Sequence, residues 1–116
     1  MPDSKSLPAK YLKLAQDLAD AHVQAIAETA DVDDGGTCNF DSPMLRLPRW
    51  NRAHIEEAVR IAGLAAFRWK GWSGDSFWVI CPRVAAQGNR RSACSERMSK
   101  LLKEKGYDAS MYYQMD

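Results

Sequence analysis

The residues best suited to chemistry lie between positions 66 and 92. Trp69, Trp72, Phe77 and Trp78 fall within ten residues, with Arg68, Lys70 and Arg83 close by. Rings of this kind can stack on a flat base, or they can fill a core. The loop Gln87-Gly88-Asn89-Arg90-Arg91-Ser92 follows, between an expected strand and the start of an expected helix. Unpaired backbone N–H groups and the positive end of the helix dipole favour an anion at such a place. Gly88 permits close backbone approach, Arg90 and Arg91 supply planar forks of donors, and Asn89 can pair with a base edge or a sugar hydroxyl. Solvated loops share this composition. Together with the aromatic residues, it describes a small nucleotide-binding pocket, formed by Trp72, Phe77, Trp78, Arg83, Gln87, Gly88, Asn89, Arg90 and Arg91.

Catalytic chemistry is poorly represented. His22 and His54 are the only side chains with an ordinary pKa near neutrality. There is no GxSxG elbow, HExxH pair, P-loop or GxGxxG. Cys38 follows Gly-Gly-Thr and could be a reactive thiol, though a small buried residue is the plainer reading. Asp31, Asp33 and Asp34 lack the spacing of a calcium loop and read as a solvated turn. Three cysteines without a CxxC pair provide no zinc framework and suit a reducing compartment. The expectation is a protein without catalytic residues, metal or cofactor.

Hydrophobic residues are 46% and charged residues 27% of 116, the balance of one globular domain spanning 1–116, with a loose tail at 1–6. No apolar run approaches the roughly 18 residues of a membrane span, and the N-terminus has no signal-like apolar stretch. Net charge is +1 but unevenly placed: residues 1–48 carry four basic and eight acidic side chains, and residues 49–116 carry twelve and seven. All nine arginines lie between Arg46 and Arg97. So balanced a total argues against a long nucleic-acid partner.

The elements that must position these residues follow from periodicity. Pro8 opens a helix whose apolar side reads as Leu12, Ala15, Ala19, Val23, Ile26 and Ala30. Residues 36–48 read as two short extended pieces around Asp41-Ser42-Pro43, a hairpin. Asn51 caps a second helix with Ile55, Ala58, Val59 and Ala62 inward, ending at Gly63. Residues 65–70 and 76–81 read as strands joined by a glycine-flanked turn. Phe77, Val79 and Cys81 share one face of the second strand; Trp78, Ile80 and Pro82 share the other. A third helix buries Cys94, Met98, Leu101 and Leu102 and stops at Gly106, before a last strand over Ser110–Met115. The expected class is α+β, three helices with a small, mostly antiparallel sheet of about four to five strands, in the order α-ββ-α-ββ-α-β.

Three segments carry a family resemblance: Asp34-Gly-Gly-Thr-Cys-Asn-Phe-Asp-Ser-Pro43, Phe77-Trp-Val-Ile-Cys-Pro-Arg83 and Gln87–Ser92. In them the chain resembles the phage anti-Thoeris sponge proteins of the first-described type. The resemblance covers the chain from about Asp34 onward. It implies a non-enzymatic protein in the cytoplasm of an infected bacterium that sequesters cyclic ADP-ribose isomers intact. It further implies a homo-oligomer (dimer or hexamer), in some members also holding cyclic di- or trinucleotides at separate sites. The alternative from the residues alone is an interaction module that inhibits a protein partner through its Trp-rich surface. A small hydrolase or transferase using Cys38 or His54 is the third reading.

Overall fold

The computed structural model describes residues 7–36, 40–70, 76–84, 86 and 88–113. The elements run α1 (Ala9–Glu28), β1 (Ser42–Arg46), α2 (Arg52–Ile61), β2 (Ala65–Lys70), β3 (Ser76–Cys81), α3 (Asn89–Glu104) and β4 (Asp108–Tyr112). The strands form one antiparallel sheet in the order β2-β3-β1-β4. After α1, this is the split β-α-β arrangement of ferredoxin-like sheets. The domain is α+β with three helices and four strands. The expected tail at 1–6 and the turn at 71–75 lie outside the described residues.

Local chemistry accounts for the boundaries. Asn51 Oδ1 accepts the His54 N–H at 3.0 Å and starts α2. Both foreseen glycine stops close their helices alike. Gly63 (φ 79°) and Gly106 (φ 98°) are left-handed, and in each case two N–H groups turn back onto the last helical turn. Gly63 N–H reaches Arg60 C=O and Leu64 N–H reaches Val59 C=O; Gly106 and Tyr107 do the same to Lys103 and Leu102.

Three expectations change. In α1 the buried side is Tyr11, Leu14, Ala15, Leu18, Ala21 and Ala25. Leu12 and Val23 are exposed, Val23 by 68%. Burying Tyr11 and two leucines removes more apolar surface from water than the alanine-rich stripe would. In 36–48 the described residues carry one strand, β1, which pairs with β3 on one side and β4 on the other. The last strand begins two residues earlier than expected, directly after the Gly106 stop.

On one face of the sheet α2 and α3 pack against the strands, and α1 packs against both of these helices. Leu45, Trp78, Ile80 and Ala109 point into that core and meet Leu14, Leu18, Ile55, Met98 and Leu102. A polar clamp ties α1 to the α3–β4 corner. The buried Asp17 carboxylate accepts from Tyr107 Oη at 2.6 Å and from Lys13 Nζ at 2.7 Å, with Lys105 Nζ 3.8 Å away. Among the described residues no helix is long and apolar enough to cross a membrane.

The clamp makes stability pH-dependent at both ends. Burial alone would raise the Asp17 pKa, but hydrogen bonds from Lys13 and Tyr107 and the nearby ammonium charges outweigh it and hold the carboxyl below its usual value. Its contribution is complete above the unfolded value of about 3.9 and fades as pH falls through the lower folded one. Burial and Asp17 push the Tyr107 phenol upward. That contribution is complete below the unfolded value of about 10 and fades above it. Tyr107→Phe should cost about 1–2 kcal/mol at pH 7 and remove this tyrosine's share of the alkaline loss, as read by urea unfolding across pH.

Candidate functional site

Pro43 has no N–H to give a ladder. The pairing of β1 with β3 covers Met44↔Val79 and Leu45↔Trp78 and stops there. Continued by two residues, it would set Ser42 opposite Cys81. Ser42 and Cys81 therefore share one face, and there a cavity of about 270 Å³ is lined by Phe40, Ser42, Phe67, Cys81, Arg91 and Tyr112. Each of the three sequence segments singled out above contributes to it: Phe40 and Ser42 from the first, Cys81 from the second, Arg91 from the third.

The cavity lies at the helix-free face. There Phe67 of β2 and Tyr112 of β4 lean across the two inner strands until their rings meet edge to face, 5.9 Å between centroids. Trp69 packs on Tyr112 at 5.7 Å and on Phe77 at 6.0 Å. Phe67, Val79 and Met44 share one row across the sheet. Val79 and Met44 are buried although no helix covers this face, consistent with a roof of rings above them. Phe67 and Phe40 keep 44% and 49% of their surface exposed, so aromatic area remains for a ligand.

Among the described residues Arg91 is the one charged residue in the lining. It stands in the first turn of α3 and donates from Nη2 to Ser42 Oγ at 3.0 Å. Its Nε is buried without an acceptor among the described residues. A buried donor left unmatched carries a desolvation cost, so a ligand oxygen there would be favoured. The frame behind it is firm: Ser95 Oγ holds the Asp41 carbonyl at 2.7 Å, and Ser92 hydrogen-bonds the Asp41 carboxylate. Burial pushes the Cys81 thiol up, against the opposing pull of Arg91, which keeps it protonated and a poor nucleophile at neutral pH.

The rest of the arginine loop is tied to the turn at 32–36, with Gly88 buried, Arg90 half-buried and Asn89 exposed. Gly88 N–H donates to Asp34 Oδ1 at 2.9 Å, Asn89 N–H to Gly35 C=O at 2.9 Å, and Arg90 Nε to Val32 C=O at 3.0 Å. The anion at the α3 N-terminus is thus the chain's own Asp34 carboxylate. Gly88 is required for this closeness, because a Cβ there would strike the Gly35 carbonyl. Arg83 is exposed, and its N–H donates to His22 Nε2 at 2.9 Å. Phe77 lies on the helix-free face beside Trp69. Trp78 is only 6% exposed and belongs to the helix-covered core, so it offers this face no ring. Trp72, Gln87 and Cys38 lie outside the described residues.

Phe40, Ser42, Phe67, Cys81 and Tyr112 did not stand out in the sequence as lining residues. They come together only through the strand order. Among the described residues no group of three or more His, Cys, Asp or Glu side chains is placed to hold a metal ion. What the cavity can do is hold a planar group against Phe67 and Tyr112 and an oxyanion or carbonyl at Arg91. Gly88→Ala should cost about 1–3 kcal/mol through overpacking, measured by chemical unfolding, because neither backbone segment can yield without losing the hydrogen bonds above. No protein-family model matches the chain, and comparison with curated proteins and with solved structures gives no match either.

Proposed function

We propose that this protein binds and sequesters a cyclic nucleotide signal without cleaving it, glycocyclic ADP-ribose or a cyclic di- or trinucleotide, inside an infected bacterial cell. The observation that carries this reading is the convergence of the three resembling segments on one cavity with aromatic walls and a single guanidinium. Adenine stacks on rings such as Phe67 and Tyr112, and a pyrophosphate oxygen suits the unmatched Arg91 Nε. A sponge has no need of a general base, and the lining provides none.

At about 270 Å³ the cavity is just below the range of about 300–1,000 Å³ usual for small-molecule sites. The reading therefore includes a homo-oligomer in which a second copy completes the enclosure. In the competing reading the exposed Phe40 and Phe67 are anchors for a protein partner.

A thermal-shift screen of cyclic ADP-ribose isomers and cyclic di- and trinucleotides should yield a stabilising ligand, recovered chemically unchanged after heat release. Arg91→Ala should weaken it by about tenfold or more, since a charge-assisted hydrogen bond is lost. Phe67→Ala should remove a stacking contribution of about 1–3 kcal/mol. A flat screen would overturn the nucleotide reading and favour the protein partner; a chemically altered ligand would replace the sponge with an enzyme.

A further inference from the structure

A second cleft, of about 300 Å³, lies away from the aromatic cavity, where β1 turns into α2 beside the β2–β3 pair. Four guanidinium groups line it: Arg46 from the end of β1, Arg49 from the following turn, Arg52 from the first turn of α2, and Arg68 from β2. Among the described residues no carboxylate lines it. All four arginines are exposed. Arg68 Nη2 donates to Ser76 Oγ at 3.1 Å, and Arg52 meets Glu56 only in an exposed pair at 3.4 Å, which neutralises little. Four like charges gathered around one concavity repel each other and raise the local anion concentration.

The turn that presents Arg49 adds an independent sign. Trp50 N–H closes it onto Leu47 C=O at 3.3 Å, with Pro48 second and Arg49 third. Arg49 has φ 66°, the only described non-glycine residue in the left-handed region. Turns with proline second and a left-handed third residue favour glycine there. An arginine held in glycine's conformation costs local strain, a pattern that clusters at ligand clamps.

We propose that this cleft is a second binding site, for an anion with two or more linked phosphates. The tryptophans in its wall are already engaged: Trp50 packs edge to face on Tyr11 at 5.2 Å with Lys10 Nζ 4.5 Å from its ring, and Trp78 is in the core. The cleft reads charge, not a base. Spread over four elements, the forks match several phosphate oxygens better than one small oxyanion. The positive end of α2, whose first turn carries Arg52, adds to the same field.

The test is calorimetry with inorganic tripolyphosphate, with ATP, and with sulfate at matched ionic strength. Tripolyphosphate and ATP should bind alike, and sulfate at least about tenfold more weakly, as expected when several charge-assisted contacts are lost together. Arg49→Gly is the decisive variant, because glycine suits the turn: its melting temperature should be unchanged or higher, while tripolyphosphate affinity falls about tenfold or more. Arg68→Ala should weaken binding in the same direction, and Phe67→Ala, in the other cavity, should leave it intact. Wild-type affinity in Arg49→Gly, or sulfate binding as tightly as tripolyphosphate, would overturn the proposal. A clear preference for ATP that persists in Phe67→Ala would overturn the charge-only reading of the cleft.

Discussion

Pro43 sits in β1, an inner strand flanked by β3 and β4, where every other residue type could offer an N–H to a neighbour. The pairing with β4 continues past it, Pro43 lying opposite Met111, while the pairing with β3 ends at Met44. The consequence is asymmetric. The ladder to β4 runs over five residue pairs and the ladder to β3 over two. Beside the end of the shorter ladder Ser42, Cys81 and the guanidinium of Arg91 line the cavity, with the rings of Phe67 and Tyr112 meeting at its wall.

The uneven charge along the chain has its structural use nearby. The end of the acidic first half meets the arginine-rich second half at the α3 N-terminus, through Asp34 on the Gly88 N–H and the Val32 carbonyl on Arg90. Glu28, at the end of α1, adds an exposed contact to Arg97 at 3.1 Å. These contacts fix the acidic turn against α3 and hold the helix start rigidly enough to aim Arg91. A site built on such a frame loses little entropy when it binds.

Much of the fold is legible because its signals are local. Two short runs at 65–70 and 76–81 around a glycine-flanked turn predict β2 and β3, and Asn51, Gly63 and Gly106 mark helix ends through caps that need only neighbouring residues. The α1 face is not legible, since Leu12-Ala15-Ala19 and Leu14-Leu18-Ala21 have equally good helical spacing, and only the partner helices choose between them. Nor does β1 declare itself as one inner strand, because a proline inside a strand argues against an inner position. The cavity is non-local throughout: Phe67 and Tyr112 are 45 positions apart in the chain, and the register across two intervening strands brings them together. Of the arginine pair at 90–91, both look alike in sequence, yet Arg90 is spent on Val32 and Arg91 alone reaches the cavity.

The most direct test of this account is an NMR titration of the labelled protein with glycocyclic ADP-ribose, following the Arg91 Nε–H resonance together with the backbone amides. Arg91 Nε–H should shift strongly as it gains an acceptor, in step with the amides of Phe40, Phe67, Cys81 and Tyr112. An Arg91 Nε–H that does not move while the ligand binds elsewhere, or no binding at all, would contradict it.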